Sequence, residues 1–377
     1  MTFFHIGPFM GNDAYRYSHH SWGFVEDAQG FVFLSGLVVG VVYSPLLLKS
    51  GMDRVRSKLF TRMRLVYVYH AVVALLLLVI VSAGSAYVDL GVFSRLGATP
   101  LRGTVMTLLL VAGPAFVDVL PVYVVFLAAT PLILSQLQKG RTVEIIAASV
   151  CLWIVAQTQL IAFLLLVSNQ SLGWTPETGL QLGLTFDRTA WQLVYVLGMV
   201  LGFHWTRGNI ALDWFTTAQG TFLAKLALGL FLCFYVIKDH QGAAFDYFPM
   251  LRGALNRWDF SILRLANFAA DAYLFTWIVV AGPASAKGWI RALANALRWV
   301  FNTEALCVLG RHSLQVFAYH TVLLYVAVSW IDWASMAPTT RAVLSTCVIL
   351  SVYLAALVHA SYQRRIARRA TRRAKTT

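Results

Sequence analysis

The run FVFLSGLVVGVVYSPLLL, residues 31–48, contains no charged side chain, and similar runs recur along the whole chain. About 20 consecutive apolar residues are what a helix needs to cross the hydrocarbon of a bilayer. Inside that hydrocarbon every backbone N–H and C=O must be bonded within the segment, which restricts such runs to helices. Only 12% of the residues are charged and 59% are hydrophobic, with a mean hydropathy of +0.68, whereas a soluble domain carries about a quarter charged residues. The sequence is therefore read as an all-α integral membrane protein. It forms one polytopic bundle of about nine to ten transmembrane helices over residues 1–377. Nine spans are expected at 25–47, 62–83, 115–137, 143–167, 189–206, 217–238, 261–282, 305–330 and 341–361. A further apolar stretch, Thr104–Ala112, reads as a half-helix or as part of a kinked span.

The net charge of +14 is placed unevenly. Of 30 Lys and Arg, 19 lie in one alternate set of connections: Lys49–Arg64, Gln138–Arg141, the WTRGNIALDW and AKGWIRALANALRW segments, and the tail. The positive-inside rule makes that set cytoplasmic, and with it the basic tail 362–377. This distribution accounts for the charge as orientation and contact with anionic lipid, and it excludes a nucleic-acid partner. Counting back through nine spans leaves residues 1–23 extracytoplasmic. No cleavable leader is apparent. MTFFHI is expected to be the outer end of a first helix that begins upstream, which would make ten spans. The four cysteines fall in apolar runs and read as small packing residues, with no metal or disulfide framework.

Ionisable groups within spans are costly, and each raises a functional question. His5 stands in the opening apolar stretch. His70 fits a helix residue bonded to a neighbouring carbonyl. Asp118 precedes Pro121, at a position that suits a helix cap. Arg264 and Asp271, two turns apart, share a face, are too far apart to pair with each other, and are expected to pair with other helices. Arg311, His312 and His320 lie together in LGRHSLQVFAYH. Arg62 and Arg64 open the second span from the cytoplasmic side, where guanidiniums suit either anchoring or phosphate binding. Gly36 and Gly40 have the spacing of a close helix contact. There is no Walker loop, HExxH or GxSxG.

The stretch EDAQGFVFLSGLVVGVVYSPLLLKSG followed by RMRLVYVYHAVVALLLL resembles the OpgC family, integral-membrane enzymes that succinylate osmoregulated periplasmic glucans, within the wider superfamily of multi-pass acyltransferases. Phe116–Leu134, Trp191–Gly202 and Leu309–His320 extend the resemblance over nearly the whole chain. It implies an inner-membrane O-acyltransferase. The donor would be a cytoplasmic acyl-CoA, succinyl-CoA in this family, serving as co-substrate with no bound cofactor, and the acceptor a glucan or related polysaccharide outside. His5-Ile6 matches a family histidine motif, which makes His5 the expected catalytic residue. Phe4 stands where the family has Asp, Gln29 where Glu is expected beside Glu26, and the family's upstream Arg is missing. Arg62 and Arg64 match a basic pair suited to the coenzyme A phosphates. Arg264, Arg311 and His312 are candidate partners for the acyl carboxylate or the oxyanion. The aromatic stretch DAYRYSHHSWGF, with Tyr15, Tyr17, Trp22, Arg16, His19 and His20, suits either sugar or the interfacial belt. Two other readings remain: a polysaccharide or lipid-linked-sugar transporter or flippase, which would want broken helices in matching halves, and a degenerate, inactive acyltransferase homologue.

Overall fold

The computed structural model describes His5 and residues 18–83, 99–114, 116–175, 178–179, 181–333 and 335–374, with side chains of the last helix through Ile366. Among these residues no strand forms, and the architecture is all-α. Fourteen helices are described: α1 Asp27–Ala83, α2 Pro100–Leu108, α3 Val119–Gln138, α4 Thr142–Gln157, α5 Leu160–Ser171, α6 Arg188–Trp205, α7 Ala218–Asp239, α8 Gln241–Tyr247, α9 Met250–Ala254, α10 Ile262–Val280, α11 Gly288–Phe301, α12 Glu304–Arg311, α13 Ser313–Trp330 and α14 Pro338–Ala374.

Six of them, α1, α3, α7, α10, α13 and α14, are long and apolar enough to cross a membrane, and α4 with α5, bent by 50° at their junction, makes a seventh if taken as one span. The faces they turn outward are apolar: Phe222, Leu226, Leu232 and Val236 on α7, and Val343, Leu350, Leu354 and Val358 on α14, are all more than half exposed. Surfaces of this kind belong in lipid. The protein is therefore a membrane protein. Length and composition give fewer spans than the nine to ten expected, and the reasons are visible helix by helix.

The first reason is α1. It is continuous over 57 residues except at Gly51, where φ is 74° and ψ is 175°. The segment Lys49–Arg64, read as a cytoplasmic connection, is helical on both sides of that glycine. A straight helix would hold Phe31 and Tyr69 about 57 Å apart. Both instead touch the start of α13. Phe31 stacks on Phe317 with ring centroids 6.3 Å apart, and the Tyr69 hydroxyl accepts from Gln315 Nε2 at 3.1 Å. The helix therefore doubles back at Gly51, and 27–50 and 52–83 are the two arms of a hairpin. A positive φ costs glycine little and other residues more. The span expected at 305–330 is likewise divided, into α12 and α13, at His312. The expected half-helix is α2, nine residues long.

The first arm of α1 and α6 form the centre of the bundle. Adding a Cβ at Gly36 would place it 2.0 Å from the Tyr195 carbonyl oxygen, and at Gly40 2.3 Å from that of Met199. From the other side, a Cβ on Gly198 or Gly202 would lie 2.2 Å from the carbonyl oxygen of Phe33 or Leu37. Two facing G-x-x-x-G pairs thus let the backbones touch. The spacing at Gly36 and Gly40 is used as a packing device, as the sequence suggested. Along the same helix Trp191, Tyr195, Met199 and Phe203 are at most 1% exposed. Polar bonds tie α6 to its neighbours: Ser149 Oγ donates to Gln192 Oε1 at 2.6 Å, Gln192 Nε2 donates to Ser149 O at 2.7 Å, and the Thr130 and Tyr195 hydroxyls meet at 2.8 Å.

Candidate active site

The entry to α1 is built from a short polar sequence, Phe24-Val25-Glu26-Asp27. Glu26 occupies the cap position and Gln29 the third helical position. The Gln29 side-chain oxygen accepts from the Glu26 backbone N–H, as in the reciprocal half of a capping box. Glutamine serves here where the family pattern led to an expectation of Glu, because the bond needs only an acceptor.

Two arginines hold this entry from the α10 side. Glu26 forms an ion pair with Arg257 Nε at 2.8 Å and with Arg264 Nη1 at 3.0 Å. Arg264 also donates to Phe24 O and Leu255 O, both at 2.8 Å. Asn267 Oδ1 accepts from Phe24 N at 2.7 Å. Arg264 thus pairs with another helix, as expected, and its guanidinium is committed to holding the α1 entry. Asp271 does not pair with another helix among the described contacts: it accepts from Asn267 Nδ2, one turn earlier, at 3.2 Å.

Asp27 faces two histidines. His20 Nε2 lies 3.0 Å and His19 Nε2 3.4 Å from its carboxylate oxygens. Burial pulls the His19 pKa below the usual range, and the Asp27 carboxylate pulls it the other way. In the aromatic stretch that suited either sugar or the interfacial belt, His19 and His20 turn toward Asp27. Trp22 is 49% exposed, and Tyr15, Arg16 and Tyr17 lie outside the described residues. So do Phe4 and the rest of MTFFHI other than His5.

The His5 ring stacks on His320 of α13 with centroids 5.2 Å apart and an interplanar angle of 29°. It packs against Phe116 at 4.2 Å. His320 is 1% exposed, and neither of its ring nitrogens has a hydrogen-bond partner among the described residues. Phe116 has φ of 67°, an outlier for a bulky residue, and such strain concentrates where function demands a fixed geometry. Asp27, which holds His19 and His20, adjoins Glu26, which holds Arg257 and Arg264, so the two clusters stand side by side at the α1 entry. Arg257 was not singled out in the sequence: it sits in the loop before α10, which looked like an ordinary polar connection.

The other candidates lie elsewhere. Arg62 and Arg64 are on the second arm of α1, near the hairpin turn, with Tyr43 of the first arm beside Arg62. They lie 11 and 13 residues past Gly51, about 17–20 Å along the second arm. Neither arginine has a carboxylate within ion-pair distance among the described residues. Arg311 does not join His5. It pairs with Glu304 at 3.1 Å, both side chains more than 60% exposed. His312 does not join it either, since its Nδ1 lies 2.9 Å from His359 Nδ1. Eight residues, about 12 Å of helix, separate His312 from His320. His70 donates Nε2–H to Thr107 O at 2.9 Å, the carbonyl-bonded helix residue the sequence indicated. Asp118 caps nothing with its side chain; it accepts from Thr185 N at 2.9 Å across to the loop before α6.

A cavity of about 340 Å³ adjoins this neighbourhood, lined by Phe186, Asp187, Arg188, Thr189 and Trp258 among others. Arg257 lies over the Phe186 ring at 5.0 Å, which connects the cavity wall to Glu26. Asp187 is 4% exposed. It caps α6 through Oδ1, which accepts from Thr189 N at 2.8 Å, and its buried Oδ2 has no hydrogen-bond partner among the described residues.

No curated protein and no solved structure matches the chain. The family model described as OpgC protein matches residues 1–364 of the 377, so the match takes in the His5–His320 neighbourhood, the hairpin and the basic pair together, and the chain belongs to the OpgC family.

Proposed function

We propose that this protein is a multi-pass O-acyltransferase of the bacterial inner membrane. It moves an acyl group, succinyl in this reading, from a cytoplasmic acyl-CoA to hydroxyls of an extracytoplasmic glucan. Family membership suggests the membrane acyltransferase class. The observation that carries the rest is the buried imidazole pair, His5 stacked on an unpartnered His320. This reading counts nine spans: the two arms of α1 separately, α3, α4–α5, α7, α10, α13, α14 and, in addition to the helices apolar enough by themselves, the buried α6. The positive-inside rule supports a cytoplasmic C-terminus and Arg62 and Arg64 at the cytoplasmic mouth.

In this reading an imidazole takes the proton of the acceptor hydroxyl as its oxygen attacks the thioester carbonyl. The C–O bond forms, the C–S bond breaks, and the coenzyme A thiolate leaves and takes up a proton. Arg257, paired with Glu26 beside Asp27, is the cation this reading assigns to the developing oxyanion. Arg62 and Arg64, free of ion pairs among the described residues, meet the coenzyme A phosphates. Phe186, Trp258 and the unpartnered Asp187 oxygen offer a sugar an apolar face and an acceptor for its hydroxyls. In this reading the basic pair serves a donor on one side and the histidines an acceptor on the other. A transporter would be supported by broken helices in matching halves; among the described residues α4–α5 is bent by 50° and the α12–α13 run is divided at His312.

The test is mass spectrometry of periplasmic glucans from a deletion strain complemented with the 377-residue chain or with its His5→Ala variant. The wild-type chain should restore an acyl mass increment, from which the donor group is read, and His5→Ala should not. If the chain restores no increment on any glucan, the enzyme reading for this acceptor is wrong. An increment restored equally by His5→Ala removes His5 from the mechanism.

A further inference from the structure

At the other end of α10 from the Arg264 clamp, a second cavity of about 580 Å³ opens between α7, α10 and α11. Its volume falls in the range that encloses a ligand of small-molecule size. The wall is mostly apolar, with Leu228, Leu274, Ile290 and Leu293 contributing. The hydroxyls of Thr216, Thr221 and Ser285 line it as well, and three groups that can meet an anion interrupt it. Lys225 comes from α7, Lys287 from the residue that precedes α11, and Trp277 from α10. The Trp277 indole Nε1 is buried and has no hydrogen-bond partner among the described residues. Neither lysine has a carboxylate within ion-pair distance among the described residues. Lys225 lies seven residues into a helix that qualifies as a membrane span, flanked by exposed Phe222, Leu223 and Leu226. Lys225 is exposed, and an ammonium about 10 Å along such a helix, on a side chain long enough to reach the interface, is placed to meet a headgroup anion.

The floor of the cavity identifies the surroundings. α11, GWIRALANALRWVF, buries Ile290 and Ala294 and leaves Trp289 65%, Trp299 72% and Phe301 56% exposed. Exposed tryptophans on an amphipathic helix with basic residues are the pattern of a helix lying at the membrane interface. α11 also belongs to the basic set of connections that faces the cytoplasm by charge, the side on which anionic lipid attracts Lys and Arg. An apolar slot, two unpaired ammoniums and one unpartnered N–H, at the depth of the headgroups, match one class of molecule: a diacyl lipid with a single phosphodiester. The slot receives a chain, while the lysines and the indole bind the phosphate oxygens. Coenzyme A carries several phosphates, for which arginine forks are the better partner, and the cavity contains none.

We propose that this cavity is a binding site for an anionic phospholipid of the cytoplasmic leaflet, held by Lys225, Lys287 and Trp277. The site requires the orientation given above and does not depend on acyl transfer.

The full chain, purified in detergent and stripped of lipid, is titrated with phosphatidylglycerol and with phosphatidylcholine, and bound lipid is counted by native mass spectrometry. Phosphatidylglycerol should bind as one retained adduct, at least tenfold tighter than phosphatidylcholine. The Lys225→Gln/Lys287→Gln double variant should lose about tenfold or more of that affinity, at roughly a factor of five per lysine. Trp277→Phe, which keeps the ring and removes the N–H, should weaken it severalfold. Thermal melting without lipid confirms that each variant is folded, and an unfolded double variant leaves the Trp277→Phe arm to decide. Equal retention of the two lipids, or unchanged affinity in the folded variants, overturns the proposal. Displacement of the adduct by coenzyme A also overturns it, by assigning the cavity to the donor. Because the readout is bound lipid, failure of the acyltransferase reading would leave this result untouched.

Discussion

The contact between the first arm of α1 and α6 makes a sharp prediction. In Gly36→Ala the new Cβ falls 2.0 Å from the Tyr195 carbonyl oxygen, 2.9 Å from its carbon and 3.1 Å from Met199 N. All three are backbone atoms, so no side chain can swing away. Restoring an ordinary contact requires the helices to part by roughly 1.4 Å, and a gap of 0.5–1 Å already forfeits a quarter to a half of each dispersion contact. The same movement loosens the approaches at Gly40, Gly198 and Gly202, and it pulls Tyr195 from Thr130. Overpacking typically costs about 1–3 kcal/mol. With backbone on the far side the upper end applies, about 3 kcal/mol, or about two decades in the folding equilibrium. Gly30 is the internal control: it lies on the same arm, and a Cβ there meets nothing within 4 Å. Gly30→Ala should therefore be neutral or gain about 0.5–1 kcal/mol from helix propensity. Both variants are measured by denaturation in detergent micelles, followed by helicity and by accessibility of the native cysteines. The reasoning is refuted if Gly36→Ala retains wild-type stability, or if the two substitutions shift it alike.

Glu26→Gln removes the counter-charge of Arg264, whose side chain is 10% exposed, and should destabilise by about 3 kcal/mol, the lower end for breaking a buried pair. Glu304→Gln, breaking an exposed pair, should stay within about 0.5 kcal/mol by thermal melting. His320→Ala should reduce acyl transfer by about two decades or more while leaving acyl-CoA binding intact in a ligand-retention assay. Arg62→Ala/Arg64→Ala should raise KM for acyl-CoA about tenfold with a smaller effect on kcat, and the difference should shrink at high salt. Burial pushes the Asp259 carboxyl up, with hydrogen bonds from Gln159 and Asn256 opposing. Its contribution to stability is therefore fully present below the unfolded pKa of about 3.8 and is lost as pH rises through the folded value. Asp259→Asn escapes that loss, so its stability relative to wild type should increase between pH 4 and pH 7 in melting curves.

Much of the architecture could be read without coordinates. Apolar runs of about 20 residues leave a chain in lipid no structure but helix, and the helices appear where the runs are. The Gly36–Gly40 spacing announced a close contact, because two small residues one turn apart flatten a helix face, while the partners of that face and of His70, α6 and Thr107 O, came only from the packing. The division of helices was less legible. The charged stretch Lys49–Arg64 reads as a connection, yet Gly51 alone supplies the reversal and the charges ride on continuous helix. Gln159, at φ of 60°, breaks α4 from α5 at the polar triplet Gln157-Thr158-Gln159 between two apolar stretches, with its side chain bonded to Asp259.

The site shows where sequence reading stops. Arg264, Arg311 and His312 looked equivalent as charged or polar groups near an acyl path, yet one clamps the α1 entry, one pairs at the surface and one meets His359. Arg257, unmarked in its loop, stands nearer the histidines. By itself the sequence determined the solvent and the helices, because hydrophobicity and backbone bonding act along the chain. Only the tertiary structure decided that His5 faces His320 and that Glu26 joins Arg257 and Arg264. Those partners are hundreds of residues apart, and their meeting is fixed by how remote helices pack together.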